Sequence, residues 1–155
     1  MAIEYQCEKC RDLGYTLQED KEGYTQAVPC ECIKKRQIKE KLERCGLTDS
    51  FKKKTFLNFK TDTEHQKQAK LRAMSYCKKF KEEKGSFLLT GKPGTGKTHL
   101  GIAMMMQLVN QNVGCRYAEY VSLIMKLKQC CMDPINYNKE IEQYKNCTVL
   151  FVDDL

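Results

Sequence analysis

Residues 86–98 read Ser86-Phe-Leu-Leu-Thr90, followed by Gly91-Lys-Pro-Gly-Thr-Gly96-Lys97-Thr98. The first five residues predict a short buried strand, and the residues from Lys97 to about Gln111 predict a helix. The glycine-rich segment between them satisfies the pattern G-x-x-x-x-G-K-[ST] in full, and it lies between a strand and a helix as the pattern requires. The sequence therefore predicts a phosphate-binding loop, whose backbone N–H groups wrap an anion at a helix N-terminus.

This loop predicts a nucleotide site for ATP and Mg²⁺. Lys97 is expected to reach the β- and γ-phosphates and to act in catalysis, and the Thr98 hydroxyl is expected to bind Mg²⁺. The alternative is a chance turn of Gly, Pro and Lys. The predicted nucleotide-binding residues are Gly91, Lys92, Pro93, Gly94, Thr95, Gly96, Lys97 and Thr98.

An acidic pair follows the last apolar run of the chain, Thr148–Val152. In this position Asp153 is predicted to hold Mg²⁺, and Asp154 to orient the attacking water or to take its proton. The other interpretation is that two acidic residues merely end a strand.

Strands and helices alternate around the loop. A capping box at Thr63 predicts a helix that ends at Gly85. Because the apolar runs are short and nearly continuous, the pattern indicates an α/β fold with a parallel sheet and flanking helices. The other predicted elements are strands at Gly114–Tyr117 and Thr148–Val152 and helices at Val121–Cys131 and Lys139–Lys145.

The ten cysteines fall into two groups. Cys7, Cys10, Cys30 and Cys32 have the spacing C-x2-C and C-x-C, which can surround one tetrahedral, structural Zn²⁺. An unmetallated cluster or a redox pair is the alternative. The other six cysteines are interpreted as small buried hydrophobic residues.

The four-cysteine segment is predicted to form a hairpin. Its strands lie near Tyr15–Leu17 and Tyr24–Val28, its turn lies at Glu19–Gly23, and a helix follows from about Ile33 to Cys45. We expect a zinc-binding module over 1–46, a linker over 47–61, and the nucleotide-binding domain from 62 to 155.

The distribution of charge along the chain indicates a possible nucleic-acid partner. Of the net charge of +7, the basic excess lies between Lys34 and Lys84, with 17 basic and 7 acidic residues. Such a region can attract single-stranded DNA by releasing counterions, although it can equally be a solvated helix face.

The longest strictly apolar run, Ile102–Met106, is far shorter than the roughly 20 residues of a membrane helix, and no signal peptide is visible. We expect a cytoplasmic location.

Several segments together resemble the DnaC/DnaI-type helicase loaders of bacteria and phages. They are Cys7-x-x-Cys10-Arg11-Asp12-Leu13-Gly14-Tyr15, Pro29-Cys30-Glu31-Cys32, Thr55-Phe-Leu-Asn-Phe59, Gly91-Lys-Pro-Gly-Thr-Gly-Lys-Thr-His-Leu100 and Phe151-Val-Asp-Asp-Leu155. The resemblance implies an AAA+ ATPase that binds the replicative helicase through its N-terminal module and delivers it to single-stranded DNA. It also implies homo-oligomers of a complete protein.

The resemblance extends no further than the second acidic motif. In AAA+ proteins the next strand inserts between the phosphate-loop strand and the acidic-motif strand, and later segments carry the sensor residue, the arginine finger and the lid. We therefore expect a partial AAA+ domain with a gap in its sheet, from a fragment or an interrupted gene product. The ATP hydrolysis of the family would need the sensor residue, the arginine finger and the lid of those later segments. The alternatives are a zinc-stabilised partner-binding fragment without ATP turnover and an IstB-like transposition helper ATPase, against which the cysteine module argues.

Overall fold

The chain divides into two compact units, residues 1–41 and 42–155. A computed structural model describes residues 5–19, 21, 23–47, 49–51, 53–83 and 85–155. The boundary between the units falls within a helix, α1, which spans Glu31–Arg44.

The first unit contains the predicted hairpin. Strands β1 (Tyr15–Glu19) and β2 (Thr25–Pro29) pair antiparallel, with Tyr15 opposite Pro29 and Glu19 opposite Thr25. Residues 20 and 22 of the predicted turn lie outside the described residues. Helix α1 then begins at Glu31, two residues before the predicted start.

The second unit contains the predicted helices. They are α2 (Glu64–Lys79), α3 (Lys97–Asn110), α4 (Tyr120–Cys130) and α5 (Pro134–Lys145), and a short 3-10 helix spans Asp49–Phe51. The capping box is confirmed, because the Thr63 hydroxyl accepts from Gln66 N and the Gln66 side chain accepts from Thr63 N. None of the helices in the described part of the chain is long and apolar enough to cross a membrane.

Helix α5 begins five residues earlier than predicted. The Asp133 carboxylate accepts hydrogen bonds from the backbone N–H groups of Ile135 and Asn136, at 3.0 and 3.2 Å, and Pro134 occupies the first turn. An aspartate cap followed by proline is a strong helix start, which the apolar pattern alone did not reveal.

The sheet confirms the parallel arrangement for two of the three predicted strands. Strands β3 (Cys115–Glu119) and β4 (Val149–Asp153) pair in parallel, with Cys115 opposite Val149 and Glu119 opposite Asp153. Helices α3 and α4 pack against these strands. The carboxyl end of β4 therefore lies on the same edge of the sheet as that of β3.

The prediction of a buried strand over Ser86–Thr90 is wrong. The segment belongs to neither of the sheets formed by the described residues, and the Leu88 side chain is 77% exposed. An extended segment becomes a strand only when a neighbour accepts and donates its hydrogen bonds. Clefts of about 280 and 590 Å³ separate this segment from β4. A cleft, rather than a hydrogen-bonded strand, thus lies between this segment and β4.

Helix α3 is the centre of the hydrophobic core. Leu100, Ile102, Met105 and Leu108 are each at most 2% exposed, and α3 packs against α2. Of the six scattered cysteines, three are buried as expected, whereas Cys131 is exposed, contrary to that expectation. The buried three are Cys45, Cys77 and Cys115.

Gly101 allows α3 to approach β4 closely. A Cβ atom at Gly101 would lie only 2.2 Å from Cζ of Phe151, in the middle of β4. The ring of Phe151 also contacts Tyr117 of β3, with ring centroids 5.6 Å apart. This contact brings the first turn of α3 to the carboxyl end of β4, where the predicted site residues lie.

We expect Gly101→Ala to destabilise the protein. Helix propensity alone would favour alanine by about 1 kcal/mol, but displacing the Phe151 ring costs about 1–3 kcal/mol. The expected result is a net loss of up to about 2 kcal/mol in the free energy of unfolding, measured by denaturant titration.

Gly85→Ala is the matched control, because a Cβ at Gly85 would meet nothing within 4 Å. It should change the free energy of unfolding by less than about 1 kcal/mol. A Gly101→Ala variant as stable as the original chain would show that the contact with Phe151 does not constrain α3.

Candidate functional site

The glycine-rich loop leads into α3 through a left-handed residue. Gly96 is the N-cap of α3 and has φ = 93°. A Cβ atom at Gly96 would also lie 2.8 Å from Cε2 of Phe59, so both its conformation and its surroundings require glycine. The Thr95 hydroxyl donates to the Lys92 carbonyl at 2.9 Å and closes the turn.

The Lys97 ammonium is held inside the loop. Its Nζ donates to the carbonyl oxygens of Gly91 and Lys92, at 2.9 and 3.1 Å. A charge-assisted hydrogen bond to an anion is stronger than one to a neutral carbonyl, so a phosphate oxygen can compete for this donor.

The two residues predicted to bind Mg²⁺ are in contact. The Thr98 hydroxyl donates to Oδ1 of Asp153 at 3.1 Å, although the residues are 55 positions apart. Asp153 is only 7% exposed at the end of β4. The next residue, Asp154, has φ = 53° and is exposed. Asp154 lines a cleft of about 380 Å³ together with Lys97 and Thr98, so the predicted catalytic residues face one space.

Tyr117 is a member of this site that the sequence did not reveal. Its hydroxyl donates to Oδ2 of Asp153 at 3.1 Å. Burial raises the pKa of the Tyr117 phenol, and the charge of Asp153 adds to the effect, so the hydroxyl stays a donor. Tyr117 lies on β3 opposite Phe151, and only this register brings it to Asp153.

The Thr55-Phe-Leu-Asn-Phe59 segment is anchored on the start of α3. Nε2 of His99 is 2.9 Å from the Thr55 carbonyl oxygen, and the His99 ring meets the Phe59 ring edge-on, with centroids 5.4 Å apart. The contacts give His99 a role in holding this segment against the loop.

A second, mostly apolar pocket of about 560 Å³ adjoins the loop. Phe59, Leu89 and Leu100 contribute its apolar walls, and Thr63 and Gln66 contribute polar groups. An apolar pocket with a few polar side chains is typical of a small-molecule site.

The cysteine cluster lies in the first unit. The Sγ atoms of Cys7, Cys10, Cys30 and Cys32 all lie within 4.8 Å of one another. Two of the separations are 3.8 Å, between Cys7 and Cys30, and 3.3 Å, between Cys10 and Cys32. Tetrahedral bonds of about 2.3 Å to Zn²⁺ place sulfurs about 3.8 Å apart, so the arrangement fits this metal.

The thiols already differ in their readiness to ionise. Burial raises the pKa of the Cys10 thiol, but hydrogen bonds from the Gly14 N–H and from the neighbouring thiols outweigh it and lower the pKa to about 7. In contrast, the hydrogen bond of Cys32 to Cys10, together with the burial of Cys32, raises the pKa of the Cys32 thiol to about 12. A bound divalent cation would favour the thiolate form at all four positions.

Asp12 braces the first cysteine pair. Its carboxylate accepts from the backbone N–H groups of Gln6 and Cys7, at 3.0 and 3.1 Å, and pairs with the Arg36 guanidinium on α1. The hydrogen bond from Gln6 and the charge of Arg36 lower the pKa of Asp12. The pairing therefore ties the turn that carries Cys7 to the helix that carries Cys32.

Comparison with known proteins agrees with this geometry. The family model described as "IstB-like ATP binding protein" matches residues 32–155. An uncharacterized protein of Bacillus subtilis, YqaM, is 36% identical over 138 residues, covering 84% of this chain and 43% of its own length. The phage-like element PBSX protein XkdC of the same organism is 31% identical over 99% of this chain and 59% of its own.

The DnaC loaders are also related. The replicative helicase loader DnaC of Escherichia coli K12 is 32% identical over 73 residues, covering 47% of this chain and 30% of its own length. The chain spans about half the length of the curated relatives it matches. With its phosphate loop, its parallel strands and these relatives, the chain belongs to the family of IstB-like ATP-binding proteins, as an AAA+ protein of the DnaC type.

Proposed function

We propose that this chain binds ATP together with Mg²⁺ at the glycine-rich loop. The observation that carries the proposal is the hydrogen bond between Thr98 and the buried Asp153, which joins the loop helix to the acidic strand end. Lys97 would bind the β- and γ-phosphates, and Thr98 and Asp153 would hold Mg²⁺, directly or through water. The cation supplies charge neutralisation at the phosphates when it is bound.

The nucleoside would lie in the pocket of about 560 Å³ beside the loop. Phe59 and Leu100 offer apolar contacts to a base, and Thr63 and Gln66 offer hydrogen bonds. The base would then lie against Phe59, whose ring is next to Gly96 of the loop.

Asp154 is the residue we propose to act on the attacking water. It is exposed to the cleft that Lys97 and Thr98 also line, whereas Asp153 is buried and hydrogen-bonded. A carboxylate with free access to the cleft can orient a water or accept its proton. The division of roles between the two acids therefore follows from their burial.

Lys97→Ala tests the assignment of the loop. The variant should lose at least about 100-fold in affinity for a fluorescent ATP analogue, because the phosphates lose their charge-assisted donor. Its zinc content should not change, since the cysteines lie in the other unit. Lys126→Ala, which removes an exposed lysine of α4, should bind the analogue like the original chain. Equal affinity in Lys97→Ala and Lys126→Ala would contradict the site.

Tyr117→Phe tests whether Asp153 is held for cation binding. Phenylalanine keeps the ring contacts with Phe51 and Phe151 but removes the donor to Asp153. The Mg²⁺ concentration for half-maximal nucleotide binding should rise about tenfold, the effect of one hydrogen bond to a charged group. Nucleotide binding without Mg²⁺ should stay the same.

Tyr76→Phe is the control, because it removes a hydroxyl that donates to the Gly85 carbonyl. It should leave the Mg²⁺ dependence as in the original chain. A Tyr117→Phe variant with that same dependence would show that the hydroxyl does not position Asp153.

We further propose that the chain is part of a helicase loader, which binds a replicative helicase through its zinc-stabilised first unit and brings it to single-stranded DNA. The relatives named replicative helicase loader DnaC support this proposal. The four-sulfur cluster also supports it, because four ligands leave no open position on the metal and indicate a structural role. A unit of this size needs such a metal to fold and to present a surface.

Cys10→Ser tests this role on the full chain. The variant should lose most of its bound zinc and its capture of the Bacillus subtilis replicative helicase, but keep its affinity for the ATP analogue. Cys131→Ser, an exposed cysteine outside the cluster, should keep all three properties. Retained helicase capture by a zinc-free Cys10→Ser variant would contradict the role of the first unit, and no capture by the original chain would contradict the loader.

Contact with single-stranded DNA would be weaker and electrostatic. Exposed lysines of α1 and α2 contribute to the basic region between Lys34 and Lys84. The affinity of the chain for a labelled DNA single strand should fall steeply as the salt concentration rises. An affinity that does not depend on salt would refute an electrostatic contact.

Two other functions would give different results in these assays. An IstB-like transposition helper ATPase would not capture the helicase; the family description, that of an IstB-like ATP-binding protein, is compatible with this function as well. A partner-binding fragment without ATP turnover would capture the helicase but would release no phosphate from ATP in a turnover assay.

A further inference from the structure

Lys54 adds a second cation to the phosphate end of the site. Its side chain lines the cleft of about 380 Å³ that Lys97, Thr98 and Asp154 also line. We propose that Lys54 binds the terminal phosphate of a bound nucleoside triphosphate and so makes the site favour triphosphate over diphosphate. The proposal rests on the nucleotide binding proposed above.

The backbone around Lys54 is held in place on both sides. Its own N–H donates to the Phe51 carbonyl at 2.9 Å, at the end of the 3-10 helix. The carbonyl oxygen of the next residue, Thr55, accepts a hydrogen bond from Nε2–H of His99 at 2.9 Å. Because His99 lies in the first turn of α3, Lys54 is attached directly beside the loop helix.

The ammonium group is held near the cleft by a weak partner. Lys54 Nζ lies 4.7 Å from the centroid of the Phe51 ring, and the residue is half-buried. A cation over an aromatic face is held less strongly than one in a charge-assisted hydrogen bond to a phosphate oxygen. The Lys54 side chain can therefore exchange the ring for a phosphate, as Lys97 can exchange its carbonyl partners.

The location of Lys54 assigns it to the terminal phosphate. It shares its cleft with Lys97, Thr98 and Asp154, which are proposed to bind the β- and γ-phosphates, to hold Mg²⁺ and to orient the attacking water, respectively. It does not line the pocket of about 560 Å³ at the other side of the loop, where the nucleoside is proposed to lie. A contact confined to this end distinguishes a triphosphate from a diphosphate.

Charge also favours a second cation here. A triphosphate carries more negative charge than one Mg²⁺ neutralises, and Lys97 supplies only a single positive charge. Asp154 lines the same cleft, and its negative charge would repel the terminal phosphate unless another cation offset this repulsion. Lys54 is a cation on the wall of that cleft and can provide this offset.

The experiment compares Lys54→Gln with Lys53→Gln on the full 155-residue chain. Lys53 is the adjacent lysine, is exposed, and does not line the cleft, so its substitution removes the same charge from the same segment. Affinities are measured with Mg²⁺ for a non-hydrolysable ATP analogue and for ADP. Lys54→Arg, which keeps the charge, tests for rescue.

Lys54→Gln should lose about tenfold in affinity for the ATP analogue and less than about threefold for ADP, the size expected of one charge-assisted hydrogen bond. Lys53→Gln should change neither affinity more than about twofold, and Lys54→Arg should stay within about threefold of the original chain.

Two outcomes would overturn the proposal: equal losses for the ATP analogue and ADP in Lys54→Gln, or a Lys54→Gln variant that behaves like Lys53→Gln. Lys97→Ala, measured in parallel, distinguishes a failure of the role of Lys54 from a failure of the nucleotide site itself. If Lys97→Ala loses binding and Lys54→Gln does not, only the role of Lys54 fails. If Lys97→Ala retains binding, the nucleotide site fails, and the role of Lys54 fails with it.

Discussion

The second unit depends on the hydrogen bonds of one buried carboxylate. Asp153 is 7% exposed, and a buried charge without partners would cost several kcal/mol. Thr98 from α3 and Tyr117 from β3 each donate to one of its oxygens. These bonds join the loop helix and both paired strands at one point. The same constraint stabilises the fold and gathers the residues that we propose to bind Mg²⁺.

The packing of α3 makes that meeting possible. Gly101 admits the Phe151 ring against the helix, and Gly96 admits Phe59 against the loop. The Gly101 contact lies on the side of α3 that faces β4. The Gly96 contact lies on the side that faces Phe59, in the segment before α2. The glycines are therefore needed for close approach, and Gly96 also for its left-handed conformation. The phosphate loop and the hydrophobic core share these residues, so a substitution in the core also affects the conformation of the loop.

The first unit is organised by different forces. Its strands are mostly exposed, and in the described residues its most buried side chains are those of Cys10 and Cys30. Such a unit buries too little apolar surface for a core of its own. The four-sulfur cluster and the pairing of Asp12 with Arg36 take the place of a core. The local charge and hydrogen-bonding pattern, rather than hydrophobic packing, positions its four clustered cysteines.

The sequence by itself determined the local features: the phosphate loop, the capping box at Thr63, the hairpin and the grouping of four cysteines. Each of these depends on residue types at short, set spacings, which a linear chain displays directly. The tertiary structure alone decided the rest. Tyr117 meets Asp153, and Lys54 reaches the cleft beside the loop, only through strand register and docking across 36 and more positions. The strand predicted at Ser86–Thr90 shows the same limit, because strand formation needs a hydrogen-bonding neighbour that no local pattern specifies.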